Sequence, residues 1–335
     1  EVTNAFQTNG TLLTEEWCEF LAEHKMLVGV SLDGPPQWHD TFRKDRGGKG
    51  TFHKAWAGLE LMEKHRVEYN VLVTLNRMNA PHAGDIYRYF VNRGVQYLQF
   101  IPILERDADG NVSEFSCTGE QFGRFSLEVF EQWASRDIGR VSERFIDNVM
   151  HTLIFGRPSM CCYEKQCANA HVLEFNGDIY VCDHFVYAPW RVGNIHERPL
   201  AELVADTKLE EFAALKTELP AACRECEYVG LCNGGCPKHH MPIGTDPARV
   251  NYFCEGYKMF FAEALPALRQ IATRLSAPAE AQQAQPSPNS PAAGQPGQPR
   301  QRGPGPGAPG QPKPKRNDPC PCGSGRKFKS CCANR

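Results

Sequence analysis

Nine cysteines lie between Cys161 and Cys254 of a 335-residue chain, and no other feature limits so sharply what the chain can fold into. With 41% apolar residues the chain can build one large core or two smaller ones, so it has no need of thiols as staples. The spacing runs Cys161-x5-Cys167-x14-Cys182, then a gap of 40 residues, then Cys223-x2-Cys226-x5-Cys232-x3-Cys236, then x17 to Cys254. Those eight sulfurs match the complement of two 4Fe-4S clusters, each held by four soft thiolates. Tetrahedral zinc also takes four thiolates, disulfides are a second rival and scattered buried thiols a third. The doublet Cys161-Cys162 leaves open which of the two is the ligand, while Cys18 and Cys117 fall outside the pattern and read as buried or free thiols.

The 37 basic and 39 acidic residues nearly cancel, which argues against a nucleic-acid substrate or an anionic membrane surface as partner. No apolar run approaches the roughly 20 residues of a membrane span. The opening EVTNAFQTNG reads as a strand entering a turn, with no leader before it, and residue 1 is Glu, so the chain reads as beginning in mid-fold. Cysteines arranged for metal, without a leader, point to a reducing cytoplasm.

Four short apolar runs, VTNAF, MLVGVSL, YNVLVTL and YLQFIPIL, alternate with amphipathic stretches at Glu15 to His24, Thr51 to His65 and Ala83 to Arg93. Thr14 and Thr51 are expected N-caps. The runs are nearly continuous in apolar residues, as parallel strands covered on both faces by helices are. In such α/β folds chemistry gathers at the carboxyl ends of the strands, where Asn9, Gly10, Ser31, Asp33, Gly34, Asn76, Pro102 and Leu104 fall. Singly, the Asn-Gly and Asp-Gly pairs are ordinary turns.

Residues 277 to 316 hold 11 prolines, six glycines and seven glutamines, with no Leu, Ile, Val or aromatic residue, so burial cannot offset their ordering entropy. They read as an extended linker leading to a short cysteine-rich tip.

The stretches QTNGTLLTEEW, SLDGPPQWHDTFRKDRGGKGTF, CDHFVYAPWRVGNI and CRECEYVGLCNGGCPK, with the spacing from Cys161 to Cys182 and the later Cys254, resemble the anaerobic sulfatase-maturating enzymes. These are radical S-adenosylmethionine proteins with a SPASM-type extension. The resemblance covers residues 1 to about 265 and implies an incomplete (β/α)6 partial barrel followed by that extension. The implied organisation is a barrel portion at 1–110 lacking its first two βα units, a helical connection at 111–160 and the extension at 161–275. A disordered linker at 276–316 and a zinc motif at 317–335 follow. By the same resemblance Cys161, Cys167, Cys182 and Cys236 hold one auxiliary 4Fe-4S cluster, and Cys223, Cys226, Cys232 and Cys254 the other. Ser31 and Arg43 meet S-adenosylmethionine, with Leu104 near its adenosyl part, and a guanidinium fork such as Arg43 suits a carboxylate. Asp183 is the implied base for a cysteine or serine of an unfolded or nascent sulfatase, whose side chain ends as Cα-formylglycine. A flavodoxin or ferredoxin would donate electrons.

The family's CxxxCxxC loop, which binds the cluster that cleaves S-adenosylmethionine, and its Gly-Gly-Glu loop are not among these residues. Both precede QTNG in the family, so the expectation is a chain shortened at its N-terminus, active when intact and inactive as written. The tip DPCPCGSGRKFKSCC resembles the SEC-C motif, implying zinc on Cys320, Cys322, Cys331 and Cys332 and docking to a partner such as SecB or the ribosome. A SPASM-type enzyme acting on another peptide, or a non-catalytic metal-binding scaffold, are the alternative readings.

Overall fold

The computed structural model describes residues 3–107, 109–167, 170–240 and 250–276. Residues 277–335, with the linker and the zinc-motif cysteines Cys320, Cys322, Cys331 and Cys332, lie outside the described residues.

The first half alternates strands and helices: β1 (Ala5–Thr8), α1 (Glu15–Glu23), β2 (Leu27–Ser31), α2 (Pro36–Phe42), α3 (Phe52–Lys64), β3 (Tyr69–Leu75), α4 (Ala83–Val91) and β4 (Tyr97–Pro102). These are followed by α5 (Gly119–Arg136), β5 (Ser142–Glu143) and α6 (Arg144–Phe155). All five strands are parallel, in the order β1-β2-β3-β4-β5. The four apolar runs are the first four strands, and Val28, Val30, Val71 and Val73 are fully buried, as covering by helices on both faces requires. The fifth strand falls in the segment expected to be helical throughout. Its two residues, Ser142 and Glu143, are polar and carry no strand signal.

Thr14 caps α1 as expected, accepting from the Trp17 amide at 3.3 Å. Thr51 does not cap α3: its hydroxyl donates to the Arg43 carbonyl at 2.9 Å, and the Phe52 amide is taken instead by Asp40 of α2 at 2.8 Å. Thr51 is thereby diverted from its own helix to fix the loop that carries Arg43.

The cysteine-rich half contains the antiparallel strands β6 (Val172–Leu173), β7 (Asp178–Tyr180) and β8 (Arg191–Asn194) and the short helices α7 (Leu200–Leu203), α8 (Thr207–Ala214), α9 (Ala221–Arg224) and α10 (Val229–Cys232). It has its own small apolar cluster around Phe185, Leu209 and Phe212. The chain then returns as α11 (Cys254–Ser276), whose Phe260, Phe261 and Leu268 are buried in the core of the first half. The return depends on two missing side chains. A Cβ on Gly256 would stand 2.3 Å from the Gly119 carbonyl, and one on Gly123 would stand 2.8 Å from Gly256 Cα, so α5 and α11 meet backbone to backbone. Cys254 therefore begins a helix anchored in the other half of the molecule. Among the described residues no helix is long and apolar enough to cross a membrane.

Candidate functional site

At the carboxyl end of β2, Asp33 is 4% exposed. Its carboxylate accepts from Arg43 Nε at 2.5 Å, Arg43 Nη2 at 3.1 Å and the Thr74 amide at 2.9 Å. Arg43 Nη2 also donates to the Thr74 hydroxyl at 3.1 Å. A bidentate pair of this kind fixes the plane of the guanidinium. Arg43 is thus held in place rather than solvated in a basic loop, and Nη1 is left without a protein acceptor among the described residues. Asp33, Arg43, Thr74 and Asn76 line a cavity of about 230 Å³ with Phe42, Ile103 and Phe115. Of the expected cofactor residues, Arg43 lines this cavity. Ser31 ends β2 half-buried, two residues before Asp33, and Leu104, 5% exposed, packs in the core one residue beyond Ile103. The importance of Asp33 was not apparent from its Asp-Gly turn alone.

The cysteines fall into two groups. Cys161 and Cys162 lie on a single helical turn, Cys161–Tyr163. Burial pushes Cys162 up to about 12, and its neighbours Cys161 and Cys236 add to the effect. Burial likewise pushes Cys236 up to about 11, with Cys167 and Cys161 beside it, and Cys182 up to about 12, with Asp183 and Cys236 beside it. In the second group Cys223, Cys226, Cys232 and Cys254 line one small cavity with Tyr257 and Lys258. Burial pushes Cys232 up to about 11, and Cys223, Cys226 and Cys254 reinforce it. The chain interleaves: Cys236 joins the group begun at Cys161, and Cys254 joins the group begun at Cys223. Cys18 and Cys117 are buried elsewhere, and all 11 described cysteines are free thiols.

Protons stay on such buried, mutually repelling thiols unless a cation displaces them. The donor set therefore fits a soft metal centre. Among the described residues no three His, Cys, Asp or Glu side chains converge tightly enough for a single ion. One tetrahedral zinc draws its sulfurs to within about 2.3 Å of one point, whereas a cubane puts a core of iron and sulfide between them. Four thiolates per group suit either centre.

Asp183 follows Cys182 at the start of a helical turn, Asp183–Phe185, and is exposed. Its Oδ1 accepts from the Cys182 thiol at 3.2 Å and from the His184 amide at 3.0 Å, which leaves Oδ2 open to solvent. His184 Nδ1 lies 3.5 Å from Cys236 Sγ. Asp183 does not line the Arg43 cavity. A lysine ties the two halves here: Lys238, two residues after Cys236, pairs with Glu105, next to Leu104, at 3.3 Å. Lys216, which no sequence signal singled out, sits among the first group of sulfurs.

Residues 161–227 match the model of SPASM, an iron-sulfur cluster-binding domain, and residues 316–334 match the SEC-C motif. The chain is 37% identical over 303 residues to the serine-type anaerobic sulfatase-maturating enzyme of Bacteroides thetaiotaomicron, covering 84% of this chain and 73% of that protein. It is 34% identical to the cysteine-type enzyme of Clostridium perfringens, over 82% of this chain and 75% of that one. The fold superposes on native anSMEcpe with bound AdoMet and Cp18Cys peptide at a TM-score of 0.76 and 35% identity, covering 82% of this chain and 77% of that one. Streptococcus suis SuiB, at 12% identity and a TM-score of 0.51, shares the fold.

Proposed function

The chain belongs to the anaerobic sulfatase-maturating enzymes, and from that premise we propose that it is a radical S-adenosylmethionine oxidoreductase converting a cysteine or serine of a sulfatase to Cα-formylglycine. The observation that carries the reading is the joint placement of Asp183 and Cys182: an oriented, exposed carboxylate beside one of eight gathered thiols. When bound, S-adenosylmethionine and the clusters supply hydrogen abstraction and an exit for an electron. The protein's own residues do the rest. The Asp33 carboxylate and Thr74 hold the Arg43 fork so that its free edge can receive the cofactor's carboxylate. In this reading Ser31, at the end of β2, and Leu104, two residues beyond β4, also meet the cofactor. Cys161, Cys167, Cys182 and Cys236 hold one auxiliary cluster, and Cys223, Cys226, Cys232 and Cys254 the other. The His184 amide orients Asp183, and Oδ2 takes the proton from the target side chain.

In this reading residues 161–275 form the cluster-holding extension of a partial barrel, 276–316 a linker and 317–335 a zinc knuckle that docks to a partner. The free thiols suit a reducing cytoplasm, with a flavodoxin or ferredoxin as electron donor.

The test is the full gene product, loaded with iron under anaerobic conditions and given S-adenosylmethionine, a reductant and sulfatase-motif peptides with Cys or Ser at the target position. Formylglycine detected by mass spectrometry in either peptide supports the reading. A loaded protein that cleaves S-adenosylmethionine yet leaves both peptides unchanged contradicts it. Asp183→Asn is expected to slow formylglycine formation by about 10²–10⁴-fold at unchanged iron content.

A further inference from the structure

Lys216 is a buried lysine that forms no ion pair with a carboxylate among the described residues. The residue is 5% exposed, and its ammonium donates to the carbonyl oxygens of Cys162 at 2.8 Å and Cys161 at 3.4 Å. Those carbonyls belong to the turn that carries the first cysteines of the group, and Lys216 lines one cavity with Cys167. Two carbonyls satisfy hydrogen bonds but neutralise no charge, and an uncompensated buried ammonium costs several kcal/mol. A cluster on the sulfurs would supply that compensation. A 4Fe-4S core with four thiolates is net negative in both its oxidation states, and more so when reduced.

We propose that Lys216 is the counter-ion of the first cysteine group and keeps the cluster held there easy to reduce. This inference rests on the reading above, in which the substrate must give up an electron after losing a hydrogen atom. One electron enters the cluster, its negative charge rises by one, no atom is transferred, and the fixed charge at Nζ stabilises the added electron. Net charge and hydrogen bonding near the cluster are the levers by which a protein sets such a potential. Lys216 touches neither substrate nor cofactor, so it is a positioning residue. Among the described residues the second group has no equivalent: its lysine, Lys258, is exposed, where water screens the charge. The two clusters are therefore expected to differ, the first being the easier to reduce.

The test is a redox titration of the iron-loaded full gene product, followed by electron paramagnetic resonance, for the wild type and for Lys216→Met, Lys216→Gln and Lys216→Arg. In the two neutral variants the reduced-to-oxidised ratio of the first cluster at the wild-type midpoint is expected to fall by at least ~10-fold, about 59 mV for a one-electron couple. Lys216→Arg is expected to stay near the wild type, and the second cluster to be unmoved in all three. If the neutral variants fail to load the first cluster while Lys216→Arg loads it, the same requirement for charge is read as occupancy. Unshifted midpoints in loaded neutral variants overturn the proposal and leave the enzyme reading intact. So does a shift or loss of the cluster in Lys216→Arg as large as in Lys216→Met, because shape rather than charge would then be at work. A wild-type protein that takes up no iron overturns both.

Discussion

Along β2 and β3, Val28, Val30, Val71, Val73 and Leu75 are 0% exposed, whereas the hairpin β6–β7 of the cysteine-rich half leaves Leu173 56% and Phe175 100% exposed. The first half is continuous with a core that takes in α3 to α6 and α11, and hydrophobic burial at about 25 cal/mol per Å² accounts for its order. The second half has a small cluster around Phe185 and Phe212, short strands and short helices, and thiols at Cys167, Cys182, Cys223, Cys232, Cys236 and Cys254 whose pKa burial pushes up. Its order is expected to depend on metal, because binding free energy in such a domain is folding free energy.

The largest effect expected from this contrast is on removing iron. Anaerobic chelation of the loaded protein should cost the amides of residues 172–240 roughly two orders of magnitude of hydrogen-exchange protection, about 3 kcal/mol, while β2 and β3 keep theirs. Equal loss in both halves would break the comparison.

A smaller effect belongs to the first half alone. Burial pushes the Glu143 carboxyl up to about 7 from 4.5, so its contribution to stability is present below the unfolded value and is lost as the pH rises through 7. Between pH 5 and pH 8 the wild type should lose about 2–3 kcal/mol more than Glu143→Gln, read from the exchange of β3 and β4 amides. A variant that keeps the wild-type pH profile would show that Glu143 is not responsible.

The smallest effect lies at the seam. Gly256→Ala puts a Cβ against the Gly119 carbonyl, and overpacking of this kind costs about 1–2 kcal/mol, or several degrees of thermal midpoint. Because Cys254 begins α11, the variant should also release iron from the second group faster than from the first, measured by chelator kinetics. Equal release rates would mean that the seam does not support the second site.

How much of this could be read from the sequence follows the same division. Burial leaves a local signal, so the four apolar runs gave four strands in place. The polar pair Ser142-Glu143, which joins the sheet through backbone bonds alone, gave none. Thr51 read as a cap because its competitor, Asp40, lies 11 residues earlier on α2, and spacing says nothing of which side chain arrives first. The cysteine groups interleave along the chain, so counting yielded eight ligands, while their partition came through the family resemblance. Asp33 looked like an ordinary turn, since its partner Arg43 sits 10 residues away in a glycine-rich loop. Lys216 carried no signal in the sequence, because only the fold brings Cys161 and Cys162 over it.

The most direct test of the account is the metal content of the full gene product purified and reconstituted without oxygen, compared with a variant in which Cys223, Cys226, Cys232 and Cys254 are all Ala. The account predicts that the variant lacks about four irons and four sulfides per chain relative to the wild type. A wild type that is iron-poor, or that carries zinc at those cysteines, would contradict it.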